Sequence, residues 1–314
     1  MKKLLAVLIA VLLCLGTAAM AEKTYHVGVC QLVQHVALDA ATQGFMDALK
    51  DKLGDSVSLD VQNASGDSTT CSTIVNTFIS DDVDLIMANA TPALQAAVAA
   101  TGDIPILGTS VTDYATALDI SDWTGATDLN VSGTSDLPPI DEQAAMIKEL
   151  FPDASTVGIL FCSAEPNSRY QADMIEGYLT ELGLEYEEFT FADSNDVASV
   201  TQSACDACDV LYIPTDNTAA SCTEAIRNVV EPTGTPVVAG EEGICVGCGV
   251  ATLSISYYDL GYATGEMAYE VLVNGADVST MDIQFAPNVT KKYNPELAAL
   301  LNVEIPEDYI AIGE

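Results

Sequence analysis

Polar side chains stand where predicted strands end, and their types suit the binding of a small zwitterion. Asn167 and Ser168 begin a helix directly after a strand, so amide, hydroxyl and helix N–H groups can hold a carboxylate without a cation. Thr91 has the equivalent place in the first half of the chain. Asp216 also follows a strand, where its carboxylate could pair with an ammonium group, and Glu241 is a second and weaker candidate for that pairing.

The complete predicted binding set shares this position near a strand end, and Gln31 is expected to orient the ligand. Thr91, Asn167 and Asp216 could each simply cap the following helix, which is an ordinary role for these residue types. Their repeated placement favours ligand contact, because open α/β sheets bind ligands outside the carboxyl ends of their strands. The predicted ligand-binding residues are Gln31, Asn89, Thr91, Thr109, Ser110, Asp113, Ser163, Glu165, Asn167, Ser168, Thr215, Asp216, Asn217 and Glu241.

The elements that must position these side chains occur twice. A short β-branched run at 27–30 leads into a helix-period segment within a few residues, and a similar junction follows at 157–168. Further landmarks repeat in the same order, which indicates that one α/β unit has been duplicated. The paired landmarks are Gly28 and Gly158, Asp84 and Asp209, and Pro105 and Pro236, with offsets of 130, 125 and 131 residues.

Strand and helix patterns alternate through both halves, and this alternation predicts mainly parallel sheets. The expected fold class is α/β, with two doubly wound lobes joined by a hinge that the chain crosses several times. Small, polar and proline residues at 130–139 have the composition of a linker. We expect lobe 1 to contain residues 22–135 plus about 253–285, and lobe 2 to contain residues 136–252 plus about 286–314.

The first 21 residues have the parts of a secretory signal peptide: a basic start at Lys2 and Lys3, an apolar run, and small residues ending at Ala21. The apolar run is shorter than the roughly 20 residues that a spanning helix needs. A lipid-modified Cys14 is disfavoured because Leu13 precedes it where a small residue is required. The protein is therefore expected to be exported, to the periplasm or to the extracytoplasmic cell surface.

The strong acidity of the chain excludes several classes of partner. The sequence contains 46 acidic and 10 basic residues, giving a formal charge of −36. Such a field repels polyanions, so nucleic acid, anionic membrane surfaces and phosphate-rich ligands are not expected partners. Arg169 and Arg227 are the only arginines in the sequence, so an arginine clamp for a ligand carboxylate is difficult to build.

The cysteines invite a zinc interpretation, which the spacing disfavours. Cys205 and Cys208 form one CxxC pair, and Cys245 and Cys248 form another 40 residues later. This separation exceeds the usual range of zinc ribbons, and the first pair precedes a strand, at the end opposite the predicted crevice. Disulfides or buried thiols are favoured in an exported chain, and neither a metal nor a cofactor is expected.

An enzyme is the main alternative, because doubly wound folds carry many activities. No GxGxxG follows the first strand, and no GxSxG is present. The sequence has two histidines, His26 and His35, and His35 is expected to be a helix-start or interior residue. The pattern therefore favours binding without catalysis.

Seven motifs in order resemble those of a known family over essentially the whole predicted mature chain. The motifs are QLVQHVALD (31–39), NATPA (89–93), VTD (111–113), NVSG (130–133), AEPNS (164–168), PTDNT (214–218) and YYDLG (257–261). Together they resemble the extracytoplasmic solute-binding proteins of ABC importers with a type I fold. Within that class the chain is similar to the family that includes tryptophan- and tyrosine-binding transport proteins. One departure is Tyr114, where the family usually has proline after threonine-aspartate.

The resemblance implies a function and a set of partners. It implies a monomeric protein that captures a small zwitterionic solute, an aromatic amino acid, between two lobes by hinge closure, and presents it to ABC permease subunits. A ligand-sensing domain that feeds a membrane receptor uses the same fold and remains the alternative within this resemblance.

Overall fold

The computed structural model describes residues 23–286 and 288–313, and the predicted signal peptide lies outside these residues. Two sheets with helices on their faces confirm the predicted α/β fold class. The elements of the first half are β1 (Tyr25–Gln31), α1 (Val36–Leu53), β2 (Val57–Asn63), α2 (Ser68–Ser80), β3 (Leu85–Asn89), α3 (Thr91–Ala100), β4 (Ile106–Val111), α4 (Tyr114–Ala117) and β5 (Val131–Ser135).

The second half repeats this alternation and then adds a long helix and short closing elements. These are α5 (Ile140–Leu150), β6 (Thr156–Cys162), α6 (Pro166–Glu181), β7 (Glu185–Phe191), α7 (Val197–Ala207), β8 (Val210–Ile213), α8 (Asn217–Ser221), α9 (Thr223–Thr233), β9 (Val237–Ala239), α10 (Glu242–Cys248), β10 (Ala251–Ile255), α11 (Tyr257–Asn274), β11 (Gln284–Phe285), β12 (Val289–Tyr293), α12 (Pro295–Leu300) and β13 (Ile310–Ala311).

Both sheets have the same strand order, as the predicted duplication requires. The first sheet runs β2-β1-β3-β4-β5 and is extended by β11, and the second runs β7-β6-β8-β9-β10 and is extended by β12 and β13. All five strands of each repeat pair in parallel, whereas β12 is antiparallel to β10. The order reverses beside β1 and beside β6, and such switch points are where ligands bind.

We call the first sheet with its helices the first unit and the second sheet with its helices the second unit. The chain passes between the units in three places: residues 136–139 between β5 and α5, Ser256 between β10 and α11, and the connection from β11 to β12. The strands β3, β4 and β8 are buried along their whole length because helices cover both faces of each sheet.

The stretch interpreted as a linker at 130–139 is in part a buried strand, β5. Its small polar residues can be buried because their hydroxyls have internal partners. Ser132 donates to the Met281 carbonyl at 2.9 Å, and Ser135 donates to the Thr112 carbonyl at 2.8 Å. Gly133 has a φ of +146° and lies against Gly108, so a side chain could not be accommodated there.

Two helix predictions also differ from the structure. The single helix predicted over 219–230 is divided at Cys222 into α8 and α9. Helix α10 was not predicted, although Glu241 accepts hydrogen bonds from the first amides of this helix. A short apolar helix that contains CxxC gives little periodic signal, which explains the omission.

The cysteines of the two CxxC motifs lie in different settings. Cys245 and Cys248 are buried in α10, whereas Cys205 and Cys208 are half-buried at the end of α7, and all are free thiols. Burial raises the pKa of the Cys208 thiol to about 11. Among residues 23–286 and 288–313, no cysteine belongs to a group of three side chains placed to share a metal ion.

No helix in the described part of the chain combines the length and the apolar character that a membrane crossing requires.

Helices α1 and α11 pack unusually closely, and glycines permit this approach. A Cβ atom at Gly261 would overlap the backbone of Ala41, and one at Gly44 would overlap the backbone of Tyr258. The two helices run parallel, because Tyr258 contacts Asp47 and Tyr262 contacts Asp51 one turn further along both helices. Both helices therefore start at the same edge of the first unit, which is the edge that faces the second unit.

We predict that Gly261→Ala lowers the free energy of unfolding by about 1–3 kcal/mol, because the added methyl group must push two helix backbones apart. Gly177→Ala is the matched control, since nothing lies within 4 Å of a Cβ at this position in α6. The control should stabilise the protein by about 0.5–1 kcal/mol through helix propensity. Urea unfolding of both variants measures the difference, and equal effects would contradict the close-packing argument.

Candidate functional site

A small cavity of about 10 Å³ lies between the carboxyl ends of the strands of the two units. It adjoins two larger cavities of about 380 and 370 Å³, sharing Glu241 and Tyr257 with the first and Asn217 with the second. The residues that line the central cavity are His35, Leu38, Ser110, Asp136, Asn167, Thr215, Asp216, Asn217, Ala220, Glu241 and Tyr257. The sequence-predicted set contributes six of these residues: Ser110, Asn167, Thr215, Asp216, Asn217 and Glu241.

Gln31 and Asn89, both predicted to bind ligand, hold the start of α1 in place. The Gln31 amide donates to the Asp39 carboxylate at 2.7 Å and accepts from the Thr42 hydroxyl at 2.6 Å. The Asn89 amide donates to the Leu38 carbonyl at 2.8 Å and to Thr42 at 3.0 Å. These contacts tie the switch-point strands β1 and β3 to the helix whose first turn borders the cavity.

Adjacent residues at the end of β4 point in different directions. The Thr109 hydroxyl lies 3.1 Å from that of Thr134, which lies 2.9 Å from that of Thr264 in α11, so Thr109 belongs to a buried chain of hydroxyls. Ser110 has a φ of +55°, where an irregularity interrupts the pairing of β4 with β5. Its hydroxyl borders the cavity and has no hydrogen-bond partner among the described residues.

Thr91 and Asp113 lie at a second point where the units meet. Thr91 is the first residue of α3 and is buried, but its side chain caps nothing because Ala90 is the N-cap residue. Asp113 caps α4 through the Thr116 amide at 2.7 Å and faces Tyr170 of the second unit. Burial, followed by the negative charge of Asp113, raises the pKa of the Tyr170 phenol. The predicted residue Ser163 is exposed and donates to a backbone carbonyl outside the cavity.

Glu165 is saturated with hydrogen bonds inside the second unit. One carboxylate oxygen accepts from the Thr218 amide at 2.8 Å and the Thr218 hydroxyl at 2.7 Å. The other accepts from the Asn217 amide at 3.0 Å and the Asn217 side chain at 2.7 Å. Glu165 therefore fixes the first turn of α8 against the start of α6.

Asn167 and Ser168, in the first turn of α6, are buried beside the cavity. The Asn167 side-chain amide donates to the Thr215 carbonyl at 3.0 Å, while its Oδ1 atom has no partner among the described residues. Thr215 in turn accepts a hydrogen bond from Gln171 of α6. The strand end at Thr215 and the start of α6 are thus held together, with one acceptor oxygen left beside the cavity.

Asp216 caps a short helix with one carboxylate oxygen and binds the end of β6 with the other, whereas Glu241 caps a short helix with both oxygens. Asp216 accepts from the Ala219 amide at 2.7 Å and from the Cys162 amide at 2.6 Å. Burial, followed by the negative charge of Glu165, raises the pKa of Asp216 to about 7. Glu241 accepts from the backbone amides of residues 243 and 244 at 2.6 and 2.5 Å. Burial raises its pKa to about 7 in spite of these amides.

Asp136 and Tyr257 were not predicted, although both line the cavity. Asp136 directly follows β5 and accepts from the Tyr257 hydroxyl at 2.9 Å and from the Thr112 hydroxyl at 3.1 Å. Burial raises the pKa of Asp136 to about 6. The sequence does contain a signal for Asp136, because this residue stands at a strand end like the predicted residues. The prolines that follow it favoured a linker interpretation instead.

Several side chains connect the two units across the cavity. His35, the N-cap residue of α1, lies 3.3 Å from the Asn217 side chain through its Nε2 atom. Its Nδ1 atom has no partner among the described residues, and burial lowers its pKa. Gln171 of the second unit donates to the Thr112 hydroxyl of the first at 3.2 Å. The units are therefore in contact beside the central cavity.

The charge balance of the cavity is its main chemical property. Three carboxyl groups, those of Asp136, Asp216 and Glu241, line it, and no lysine or arginine is among the described lining residues. Burial of several carboxylates without a cation is costly, so such a site favours a ligand that brings a positive charge. Within the described residues, the one group of three side chains placed to share a metal ion is Asp173, Glu176 and Glu188, outside this cavity.

Comparisons with known proteins agree with this architecture. The family model described as ABC transporter substrate binding protein matches residues 26–312. A tyrosine-binding protein of Clostridioides difficile (strain R20291) is 38% identical over 270 residues, which cover 83% of this chain and 77% of that protein.

Two solved structures place the fold among the type I periplasmic binding proteins. An ABC domain from Streptococcus pneumonia in complex with L-Trp has a TM-score of 0.87 and 30% identity, covering 91% of this chain and 97% of that one. The ligand-free, open structure of a substrate-binding protein with adhesive properties from Clostridium difficile has a TM-score of 0.70 and 36% identity, covering 92% of this chain and 99% of that one.

We predict that the ligand-free protein becomes more stable as the pH falls from about 8 to about 5. A carboxyl group whose pKa is raised in the folded state stabilises it fully below its unfolded pKa, and this contribution is lost as the pH rises through the folded pKa. For Asp136, Asp216 and Glu241 the loss begins near the ordinary carboxyl pKa of about 4 and is complete once the pH has passed the folded pKa values of about 6–7. His35 acts in the opposite direction, but it is one group against three.

Asp216→Asn tests this prediction because asparagine also caps helices. The variant should reduce the pH dependence of the unfolding free energy by about 2 kcal/mol over this range. Asp103→Asn, at an exposed loop position, is the control and should leave the slope unchanged. Urea unfolding at several pH values measures the slopes, and a wild-type protein that loses stability towards pH 5 would refute the argument.

Proposed function

Because the chain belongs to the family of ABC transporter substrate-binding proteins, we propose that it captures an amino acid with an aromatic side chain between its two units and delivers it to the permease of an importer. In this proposal the protein acts as a monomer outside the cytoplasmic membrane, without a cofactor and without catalysing a reaction. The lobes are those expected from the sequence, and the predicted site residues that line the central cavity form the binding site.

The observation that carries this proposal is the combination of buried carboxyl groups and unpartnered polar atoms around one cavity. The carboxyl groups suit an ammonium group. The Ser110 hydroxyl can donate to a ligand carboxylate, and helix α6 begins beside it with the positive end of its dipole at the cavity. A zwitterion presents both charges at the short separation that such a site requires.

The similarities to other proteins support the class of ligand. One relative is named for tyrosine binding, and one similar structure contains L-Trp. An aromatic ring needs more room than the central cavity provides. We propose that the ring extends into an adjoining cavity, such as the one of about 380 Å³ lined by Ala37, Ile255, Tyr257 and Tyr258.

Hinge closure is part of the same proposal. The chain is more similar in shape to the L-Trp complex than to the ligand-free, open structure, with TM-scores of 0.87 and 0.70, although its sequence is closer to the latter. Contacts such as His35 with Asn217 and Thr112 with Gln171 require the units to be close together. A ligand that touches both units stabilises this arrangement by its higher affinity for it.

We predict that refolded protein is stabilised against heat by tryptophan, tyrosine or phenylalanine, and not by nucleosides or sugars. Refolding removes any tightly bound ligand beforehand. A ligand at 100 times its dissociation constant contributes roughly 2.7 kcal/mol, which raises the melting temperature by several degrees for a chain of this size. Differential scanning fluorimetry against the common amino acids makes the measurement.

A variant with a filled cavity tests whether the thermal shift comes from ligand binding in the central cavity. Ala220 lines it from α8, so Ala220→Phe fills the cavity without removing a polar group, and the variant should show no thermal shift with the same ligands. Ala207→Phe, at the end of α7 and outside the cavity lining, is the matched control and should retain the shift. The proposal is wrong if no amino acid shifts the wild-type protein.

A further inference from the structure

We propose that Asp136 is the carboxylate that pairs with the ammonium group of the ligand and so selects ligands with a free amine. The inference rests on the proposed function and assigns a specificity-determining residue within the same site. It replaces Asp216, which the sequence pattern favours for this role.

The hydrogen bonds of the other acidic residues argue against them. Both carboxylate oxygens of Asp216 accept backbone amides, of Cys162 at 2.6 Å and Ala219 at 2.7 Å. Both oxygens of Glu241 are occupied in the same way by the first amides of α10. Glu165 receives four hydrogen bonds from the first turn of α8. Glu165 and Glu241 bind the amides of helix starts, and Asp216 binds one helix amide and the amide at the end of β6. Backbone amides in these elements cannot turn away to make room for an ammonium group.

Asp136 differs because its side-chain partners are hydroxyl groups. Its two oxygens accept from Thr112 at 3.1 Å and from Tyr257 at 2.9 Å. A hydroxyl can rotate and can accept a hydrogen bond as well as donate one. An ammonium group has three donors, so it can bind the Asp136 carboxylate and also donate to the Tyr257 oxygen. Asp136 is 4% exposed, so the pairing would take place out of water.

The position of Asp136 also brings a bound ligand to the segments that connect the two units. It begins the first crossing between the units, and Tyr257 follows the second crossing at Ser256. The hydrogen bond between these residues joins the two crossings at the cavity wall. An ammonium group bound there would contact the segments about which the two units move relative to each other.

The groups that face Asp136 define the expected pH dependence. Tyr257 from α11 and Tyr114 from α4 have pKa values raised by burial and stay neutral, and Glu241 faces it from the start of α10. Asp216 and His35 line the same cavity. Because an ammonium group binds the ionised carboxylate, affinity should be full above the Asp136 pKa of about 6 and should fall as the pH drops through it.

A double-mutant cycle between protein and ligand tests the assignment. Calorimetry near pH 7.5 gives the dissociation constants of L-tyrosine and L-tryptophan, and of their des-amino counterparts 3-(4-hydroxyphenyl)propionate and 3-(indol-3-yl)propionate. Asp136→Asn should weaken the amino acids about tenfold to hundredfold and leave the des-amino compounds nearly unchanged. Asp216→Asn is the matched control and should affect both classes alike.

Tyr257→Phe gives an independent test if Asp136→Asn does not fold or the des-amino compounds bind too weakly. Loss of the Tyr257 hydroxyl removes a hydrogen-bond donor that lowers the pKa of Asp136, so the fall in affinity should move to higher pH. Three outcomes would overturn the assignment. The first is an equal effect of Asp136→Asn on both ligand classes, and the second is a selective loss of amino acid binding in Asp216→Asn. The third is a pH profile of affinity that Tyr257→Phe does not move. If the wild-type protein binds des-amino compounds but neither amino acid tightly, the assignment fails while small-solute binding stands; if it binds none of them, the proposed function fails as well.

Discussion

The arrangement of the site depends on one constraint: carboxylates buried without a basic residue must be held by amides and hydroxyls. Asp216 and Glu241 meet this constraint by capping short helices, and Glu165 meets it by binding the first turn of α8. Helix starts supply unpaired N–H groups in fixed directions, which makes them suitable partners for such acids. The strand ends of the second unit are therefore fixed by the same side chains that make the cavity negative.

Duplication explains why two such edges face each other. Each unit has the strand order 2-1-3-4-5, so each places its switch point at the same edge of its sheet. In the first unit the switch point is filled by Gln31 and Asn89, which bind the start of α1. In the second unit it is filled by Cys162 and Asp216. The two copies have diverged. The switch point of the first unit binds the long helix α1, whereas that of the second unit contains the buried carboxyl group of Asp216.

The alternation of strands and helices was sufficient to predict the fold and the sheet edge at which the central cavity lies. It was not sufficient to predict which way each side chain points. Thr109 and Ser110 are neighbours with equal sequence signals, but a backbone irregularity turns only Ser110 towards the cavity. Asp136 was missed because its small polar neighbours resemble a linker, and only the hydroxyl partners of Ser132 and Thr134 in three dimensions allow that stretch to be a buried strand.

The glycine-mediated packing of α1 against α11 has a consequence for how the range of ligands can evolve. His35 and Tyr257 stand at the starts of these helices, and with Gly261 against Ala41 the pair forms one rigid wall of the pocket. A wall of this kind cannot move outwards to admit a larger solute. New ligand sizes must then arise by substitution on the opposite side, in α8 and the loops of the second unit. Among descendants of this protein, the substitutions that change ligand selectivity would therefore accumulate faster in the second unit than in the first.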